Sequence, residues 1–251
     1  MLNIVIPMAG KGSRFAKEGY QDPKPLIPVG TKRMIELVIN NLTPSRPHRF
    51  IFICLQEHID KYDLQAKLEI LAPNCIVVGI NQVTEGAACT VLCAKDYINN
   101  NDNLMIANSD QWIDICIDDY LADMDEKDLD GIIMTMNADD PKWSFVEFNT
   151  NGLVKGVYEK IVISKEATVG IYNYKRGSDF CTKAEKMISN GDRSNNEYYV
   201  APVYTYMYKD DNARIGVYNI GSEANGMYGL GIPSDLELFK SLSIFSKATN
   251  F

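Results

Sequence analysis

The sequence predicts an α/β protein: a mixed, mostly parallel sheet with helices on both faces and a small antiparallel subsheet. Three observations carry this reading. Short β-branched runs alternate with segments of helical period through the first half of the chain. The first run, LNIVIPM (2–8), ends in a loop with two glycines, as a parallel strand does at its carboxyl edge. Past residue 140 the texture changes to alternating strands around an Asn151–Gly152 pair, a hairpin turn signal.

Taken in order, LNIVIPM reads as a buried strand and RMIELVINNL (33–42) as a helix. RFIFICL (49–55) is a second strand, HIDKYDLQAKLEIL (58–71) one helix, and CIVVGI (75–80) a third strand. GAACTVLCAKDYI (86–98) is a helix with a small-residue start, NLMIAN (103–108) a fourth strand and LDGIIMTM (129–136) a fifth. Right-handed crossovers between such strands place a ligand at their carboxyl edge. WSFVEFNTNGLVKGVYEK then forms the hairpin, ATVGIYNYK (167–175) a strand and SDFCTKAEKMISNG (178–191) a helix. Asp- and Asn-rich turns lead to a final strand, ARIGVYNI, and PSDLELFKSLSIFSKA (233–248) closes the chain as a helix with Ser234 as N-cap. No repeat, low-complexity tract or linker interrupts the chain, so residues 1–251 are expected to form one domain.

The composition, 46% hydrophobic and 23% charged, is that of a globular protein. A formal charge of -8 argues against general nucleic-acid binding, which needs a surplus of Lys and Arg. Residues 11–33 are a local exception, with Lys11, Arg14, Lys17, Lys24, Lys32 and Arg33 against Glu18 and Asp22. No stretch approaches the ~20 apolar residues of a membrane span, and MLNIVIPMAG lacks the regions of a signal peptide. The six cysteines show no CxxC or metal spacing, so reduced, mostly buried thiols of a cytoplasmic protein are expected.

In AGKGSR, Gly10 and Gly12 let the backbone approach a ligand and aim N–H groups inward, a nest suited to oxyanions. Arg14 offers a fork and Lys24 a point charge for phosphate oxygens. The stretch matches neither GxxxxGK[ST] nor GxGxxG, since Phe15 takes the last glycine position. Alone it is as much a plain turn as a phosphate nest; Pro23 and Pro25, which stiffen the segment around Lys24, favour the nest.

In ANSDQW (107–112), Asp110 lies just past a strand on the same edge, where a carboxylate can hold Mg2+. A turn-forming Asn-Ser-Asp is the alternative, and the shared edge favours the metal. Asp114, Asp118, Asp119, Asp123 and Asp125 read as a solvated helix face. In VTEGAAC (83–89), Gly86 and the alanines leave room for a flat ring against the backbone, and close packing explains them equally well. In VYEK, Lys160 suits a second phosphate and Glu159 a hydroxyl or amine, with an exposed ion pair as the equal alternative. In NNEYYVAP, Glu197 and Tyr199 suit a polar metabolite or half-buried packing. His48 and His58 have no visible partner and Ser13 no base, so the chemistry needs no protein nucleophile.

IPMAGKGSRF, PKPLIPV, ANSDQ and EK, in this order, resemble the nucleotidyltransferases that activate sugar phosphates and related metabolites. The resemblance runs from residue 2 to about 240. TEGAAC, PKWSFV, EKIVISKEATVGIY and EYYVAPVY look most like a small bacterial branch found with capsule and surface-polysaccharide genes. The resemblance implies a Rossmann-like nucleotidyltransferase fold, with residues 1–139 as nucleotide-binding half and 140–251 as acceptor-binding half plus closing helix. It implies Mg2+ on Asp110, a nucleoside triphosphate (CTP favoured) and a phosphorylated small-molecule acceptor, phosphoglutamine in capsular phosphoramidate synthesis. It admits a homodimer and implies neither nucleic acid nor membrane as partner. The nucleotide would lie over Met8, Ala9, Gly10, Lys11, Gly12, Ser13 and Arg14, near Gln82, Glu85, Gly86, Ala87 and Ser109. Arg14 would stabilise leaving pyrophosphate, Lys24 the α-phosphate and Lys160 the acceptor phosphate, with Glu159, Glu197 and Tyr199 on the acceptor. Such catalysis works by positioning and charge neutralisation.

One departure stands out. Relatives carry a second metal-binding Asp in a W-x-D-x-G-T pattern, and here MYGLGIP puts Gly229 at that position, leaving Glu159 and Asp235 as candidates. The alternatives to cytidylyl transfer are a sugar-1-phosphate uridylyl- or thymidylyltransferase, and a nucleotide-binding regulator that has lost catalysis.

Overall fold

The computed structural model describes residues 1–251. Leu2–Pro7 forms β1, whose run is apolar except for Asn3 because both its faces are covered: Ile4 and Ile6 pack into one core cluster and Val5 into another, while buried Asn3 accepts from the Arg49 guanidinium at 2.9 Å. The chain continues through α1 (Ser13–Lys17), a one-turn Lys24–Leu26, β2 (Pro28–Val29), β3 (Lys32–Arg33) and α2 (Met34–Leu42). Next come β4 (His48–Leu55), α3 (Gln56–Tyr62), α4 (Leu64–Leu71), β5 (Ile76–Ile80), α5 (Ala87–Leu92) and α6 (Lys95–Ile98). Then follow β6 (Asn103–Ala107), β7 (Gln111–Ile113), α7 (Ile117–Glu126) and β8 (Gly131–Asn137). The later part comprises β9 (Ser144–Phe148), β10 (Val154–Glu159), β11 (Glu166–Tyr174), α8 (Gly177–Ser189), α9 (Val203–Asp211), β12 (Ile215–Glu223), β13 (Gly226–Gly229), α10 (Pro233–Ser241) and α11 (Ile244–Thr249).

The main sheet has the order β5-β4-β1-β6-β11-β8-β12-β13-β7. Its first four strands are parallel, as the alternating pattern predicts. β11 enters antiparallel between β6 and β8, so the fifth predicted strand keeps its direction but does not touch the fourth. The β9–β10 hairpin turns at residues 149–153 and joins the main sheet where Phe145 pairs with Ala167. β2 and β3 make a separate two-stranded sheet.

Several local expectations are corrected. Residues 58–71 are two helices, because Asp63 takes a left-handed conformation (φ 49°) between α3 and α4. Residues 86–98 likewise split into α5 and α6. The closing helix is capped by Ile232, with Pro233 rather than a Ser234 cap at its start: proline has no N–H to satisfy there. It also breaks before α11, where Leu242 turns extended. All six cysteines are unpaired, but only Cys54 and Cys181 are buried; Cys93 and Cys116 are exposed. No helix is long and apolar enough to cross a membrane.

Helix α9 lies where the sequence reads as turns. Its residues, VYTYMYKDD, have weak helical patterning, and tertiary packing decides their state. Tyr204 is fully buried, stacks on Tyr174 with ring centres 4.5 Å apart, and donates its hydroxyl hydrogen to the Asn173 carbonyl at 2.7 Å. The Thr205 hydroxyl accepts the Val157 N–H at 3.0 Å, tying α9 to β10.

Tyr204→Phe is expected to cost about 1–2 kcal/mol by removing the hydroxyl donor of the Asn173 carbonyl, and Tyr204→Ala about 3–5 kcal/mol. Urea unfolding of the two variants measures both; equal losses would mean that the hydroxyl and not the ring anchors α9.

Candidate active site

The carboxyl ends of β1 and β6 are adjacent and parallel, with Val5 opposite Ile106, so loops 8–12 and 108–110 leave the sheet side by side. Met8 packs its side chain into the core and donates its N–H to the Ile53 carbonyl at 2.9 Å, so only backbone faces the loop. Gly12, at φ 60°, turns the chain left-handed into α1 and leaves Gly10, Lys11, Ser13 and Arg14 in solvent. Buried Phe15, edge-on to Tyr20 at 5.1 Å, holds this short helix down.

The basic stretch 11–33 does not act as one patch. Pro23 is extended, and Pro25, Leu26 and Ile27 are buried, which directs Lys24 into the cleft. Its Nζ donates to Asp110 Oδ2 at 2.6 Å, both groups half-buried. Lys32 instead lies 4.3 Å over the Phe251 ring.

Three adjoining cavities meet at Asn108, which lines all of them. The first, about 360 Å3, is lined by Arg14, Asp110, Lys142, Lys160, Gly229 and Asp235. The second, about 250 Å3, lies among Trp143, Ser144, Glu159, Tyr172 and Tyr199. The third, about 230 Å3, separates Gly10 from Gly86, Ala87 and Glu197. Arg14, Asp110 and Lys160, far apart in sequence, are thereby brought to one cavity. Lys160 bends there in a left-handed conformation (φ 58°), its N–H on the Trp143 carbonyl at 3.0 Å.

Other expected residues stand elsewhere. Lys11, Ser13 and Gln82 are exposed and line none of these three cavities, and Ser109 is buried. The Glu85 carboxylate turns outward to Arg193 at 3.0 Å. Gly86 (φ 140°) serves close packing: a β-carbon there would come 2.4 Å from the Tyr198 nitrogen. Tyr198 donates to the Glu85 carbonyl and accepts from the Ala88 N–H, both at 2.9 Å. Glu197 consequently faces the glycine side of the cleft, while Tyr199 faces the second cavity.

Burial holds the Glu159 carboxyl above its usual range; the donated Ser144 hydroxyl and the Lys160 charge oppose this, and Glu197 adds to it. The Tyr199 phenol is pushed up by burial and by the Glu197 and Glu159 carboxylates. Asp235 is also raised, by burial first, with Lys142 opposing and Glu223 and Asp110 adding. Hard carboxylate oxygens are the only acidic ligands around the first cavity, with no Cys or His, which suits Mg2+. No three His, Cys, Asp or Glu gather as a protein cage, and Mg2+ needs none: it takes one or two carboxylates and completes its shell with phosphate and water.

Sequence reasoning missed Asn108, Lys142, Trp143, Thr168 and Tyr172 as cleft residues. Asn108 stood inside ANSDQW and Lys142–Trp143 inside PKWSFV; the other two are interior-looking positions of β11, exposed to the cavity by the bulge between Thr168 and Tyr172.

A family model for nucleotidyl transferases matches residues 4–213. The chain is 26% identical over 179 residues to the bifunctional protein GlmU of Methanococcus aeolicus, covering 69% of this chain and 40% of that protein. It is 24% identical over 143 residues to the UTP–glucose-1-phosphate uridylyltransferase of Salmonella typhimurium, covering 49% of this chain and 46% of that one. It thus spans less than half the length of either relative. A nucleoside-diphosphate-sugar pyrophosphorylase from Vibrio cholerae RC9 superposes with a TM-score of 0.80 at 22% identity, over 95% of this chain and 100% of that one. At that identity the likeness establishes the fold alone.

Because Glu159 binds its proton more tightly folded than unfolded, its favourable contribution is complete below the ordinary value of 4.5 and is lost as pH rises through the raised one. Glu159→Gln should therefore raise the melting temperature at neutral pH, with the gain vanishing in acid. Calorimetry at both pH values checks this, and a gain larger in acid would refute it.

Proposed function

The chain belongs to the nucleotidyl transferase family, and from that premise we propose that it transfers a nucleoside monophosphate to a phosphorylated small molecule and releases pyrophosphate. CMP from CTP is the favoured group and phosphoglutamine, for a capsular phosphoramidate, the favoured acceptor. The observation that carries the reaction class is the meeting of three cavities at Asn108, the first of them ringed by Arg14, Lys142 and Lys160 around Asp110.

The donor triphosphate lies along the glycine loop, whose backbone N–H groups meet its oxygens. Its base rests between Gly10 and Ala87, its phosphates in the first cavity. Arg14 neutralises the departing pyrophosphate, Lys24 the α-phosphate, and Lys160 orients the acceptor phosphate for in-line attack. Bound Mg2+, held by Asp110, supplies further neutralisation of phosphate charge. Lys24 occupies Asp110 Oδ2 at 2.6 Å, so it must turn from Asp110 to phosphate when substrate enters. The acceptor's body fills the second cavity, where Glu159, Tyr199 and Ser144 offer partners to N–H or O–H groups. Unpaired cysteines suit a cytoplasmic setting.

That acceptor chemistry also suits a sugar, and the name of one relative favours a second reading, uridylyl transfer to a sugar 1-phosphate, with thymidylyl transfer as its variant. Pyrophosphate release from CTP, UTP and dTTP, each with phosphoglutamine and glucose 1-phosphate, decides between them. CTP with phosphoglutamine is the expected pair. UTP or dTTP with the sugar phosphate would establish the second reading, and nucleotide binding without release from any pair would leave a regulator. With the productive pair, Lys24→Ala should lower kcat about 10²–10³-fold, as loss of one transition-state donor does. Its effect on stability should stay within about 1 kcal/mol, because the ion pair is partly exposed.

A further inference from the structure

Two carboxylates approach the same face of one short segment. Gly229 pairs with Gln111 on β7, and the Leu230 N–H donates to the Asp110 carbonyl at 2.7 Å. Leu230 is fully buried beneath, so Gly229 and Gly231, two residues apart, present the opposite face to the cavity. A β-carbon on Gly231 would lie 2.6 Å from Asp110 Oδ2, and one on Gly229 would lie 3.3 Å from Asp235 Oδ2. Neither glycine has a backbone conformation closed to other residues. What their lack of side chains provides is space, and in both cases a carboxylate oxygen borders that space.

Asp235 enters from the first turn of α10, and its carboxylate has no hydrogen bond or ion pair within the protein. Lys142, which lines the same cavity, is committed to Glu223 at 2.8 Å. Independently, Gln111 is only 6% exposed, lines this cavity, and has an Nε2 with no partner. A buried amide donor without a partner points to a ligand oxygen. The cavity thus offers donors and cations to an anion, yet holds a carboxylate that Lys142 and Arg14 attract without bonding to it and that would repel the same anion. A divalent cation between carboxylate and phosphate removes the contradiction.

We propose that Asp235 is a second carboxylate ligand for a divalent cation shared with Asp110, admitted to the site by the absence of side chains at Gly229 and Gly231. The proposal rests on the Mg2+-dependent reading of the cleft and adds a ligand that lies six residues beyond Gly229, on a helix rather than on the strand.

Mn2+ alone is the probe, titrated into the full chain with free Mn2+ read by electron paramagnetic resonance and folding monitored by melting temperature. Asp235→Asn and Asp110→Asn are each expected to weaken Mn2+ binding at least tenfold. Gly229→Ala, which removes no ligand but crowds the Asp235 carboxylate, should weaken it severalfold, so the proposal does not hang on one variant. Mn2+ binding within twofold of wild type in both Asp235→Asn and Gly229→Ala would overturn it, as would a wild-type protein that binds no Mn2+. Loss confined to Asp110→Asn sinks the role of Asp235 and leaves the transferase reading standing. Failure of pyrophosphate release with intact, Asp235-dependent Mn2+ binding does the reverse.

Discussion

The charged end of the cleft depends on one small apolar cluster beneath it. Phe15, Trp112, Leu230, Leu236 and Phe239 pack together there, with Trp112 5.6 Å from Tyr228 and Tyr228 5.6 Å from Phe239. Four of these anchors are the chain neighbour, or next but one, of a cleft residue: Phe15 of Arg14, Trp112 of Asp110, Leu230 of Gly229 and Gly231, Leu236 of Asp235. Burial of each large side chain contributes about 1.5–3 kcal/mol. Charges that repel or attract one another are thus held in place by packing, and only Lys24 and Asp110 are joined directly among them.

The opposite wall is assembled differently. Tyr204 and Thr205 fasten α9 to β11 and β10, and the segment before α9 supplies Tyr199, Val200 and Ala201 to the second cavity. The same segment reaches across to Gly86, where the Tyr198 backbone replaces the side chain that glycine lacks. The Gly86 side and the Tyr199 side of the cleft are therefore one hydrogen-bonded wall, along which Glu197 and Tyr199, two residues apart, face different cavities. Burial holds the Glu159 carboxyl on this wall above its ordinary range, with the Ser144 hydroxyl and the Lys160 charge opposing.

Much of this was legible in local pattern. β1, β4, β5 and β6 follow from short β-branched runs, and their parallel order from the helical segments between them. The shared edge of the glycine loop and Asp110 follows from that order. Less legible were the helix breaks at Asp63 and after Leu92, the α9 helix and the intrusion of β11 between β6 and β8. Each is a case where distant packing outweighs a weak or misleading local preference. Gly86 is instructive: its small size was visible, but whether a ligand or the chain itself filled the gap was not.

What the sequence determined by itself, then, was the α/β class, the glycine loop at the end of β1 and the candidacy of Arg14, Lys24, Asp110 and Lys160, because periodicity and turn chemistry act over a few residues. Which of those groups meet was decided only by the tertiary structure. Asp110 and Asp235 are 125 positions apart in the chain, and no local rule says that two glycines between strand and helix leave room for both carboxylates. The cleft exists where chain segments without mutual sequence signals are pressed together by a common apolar floor.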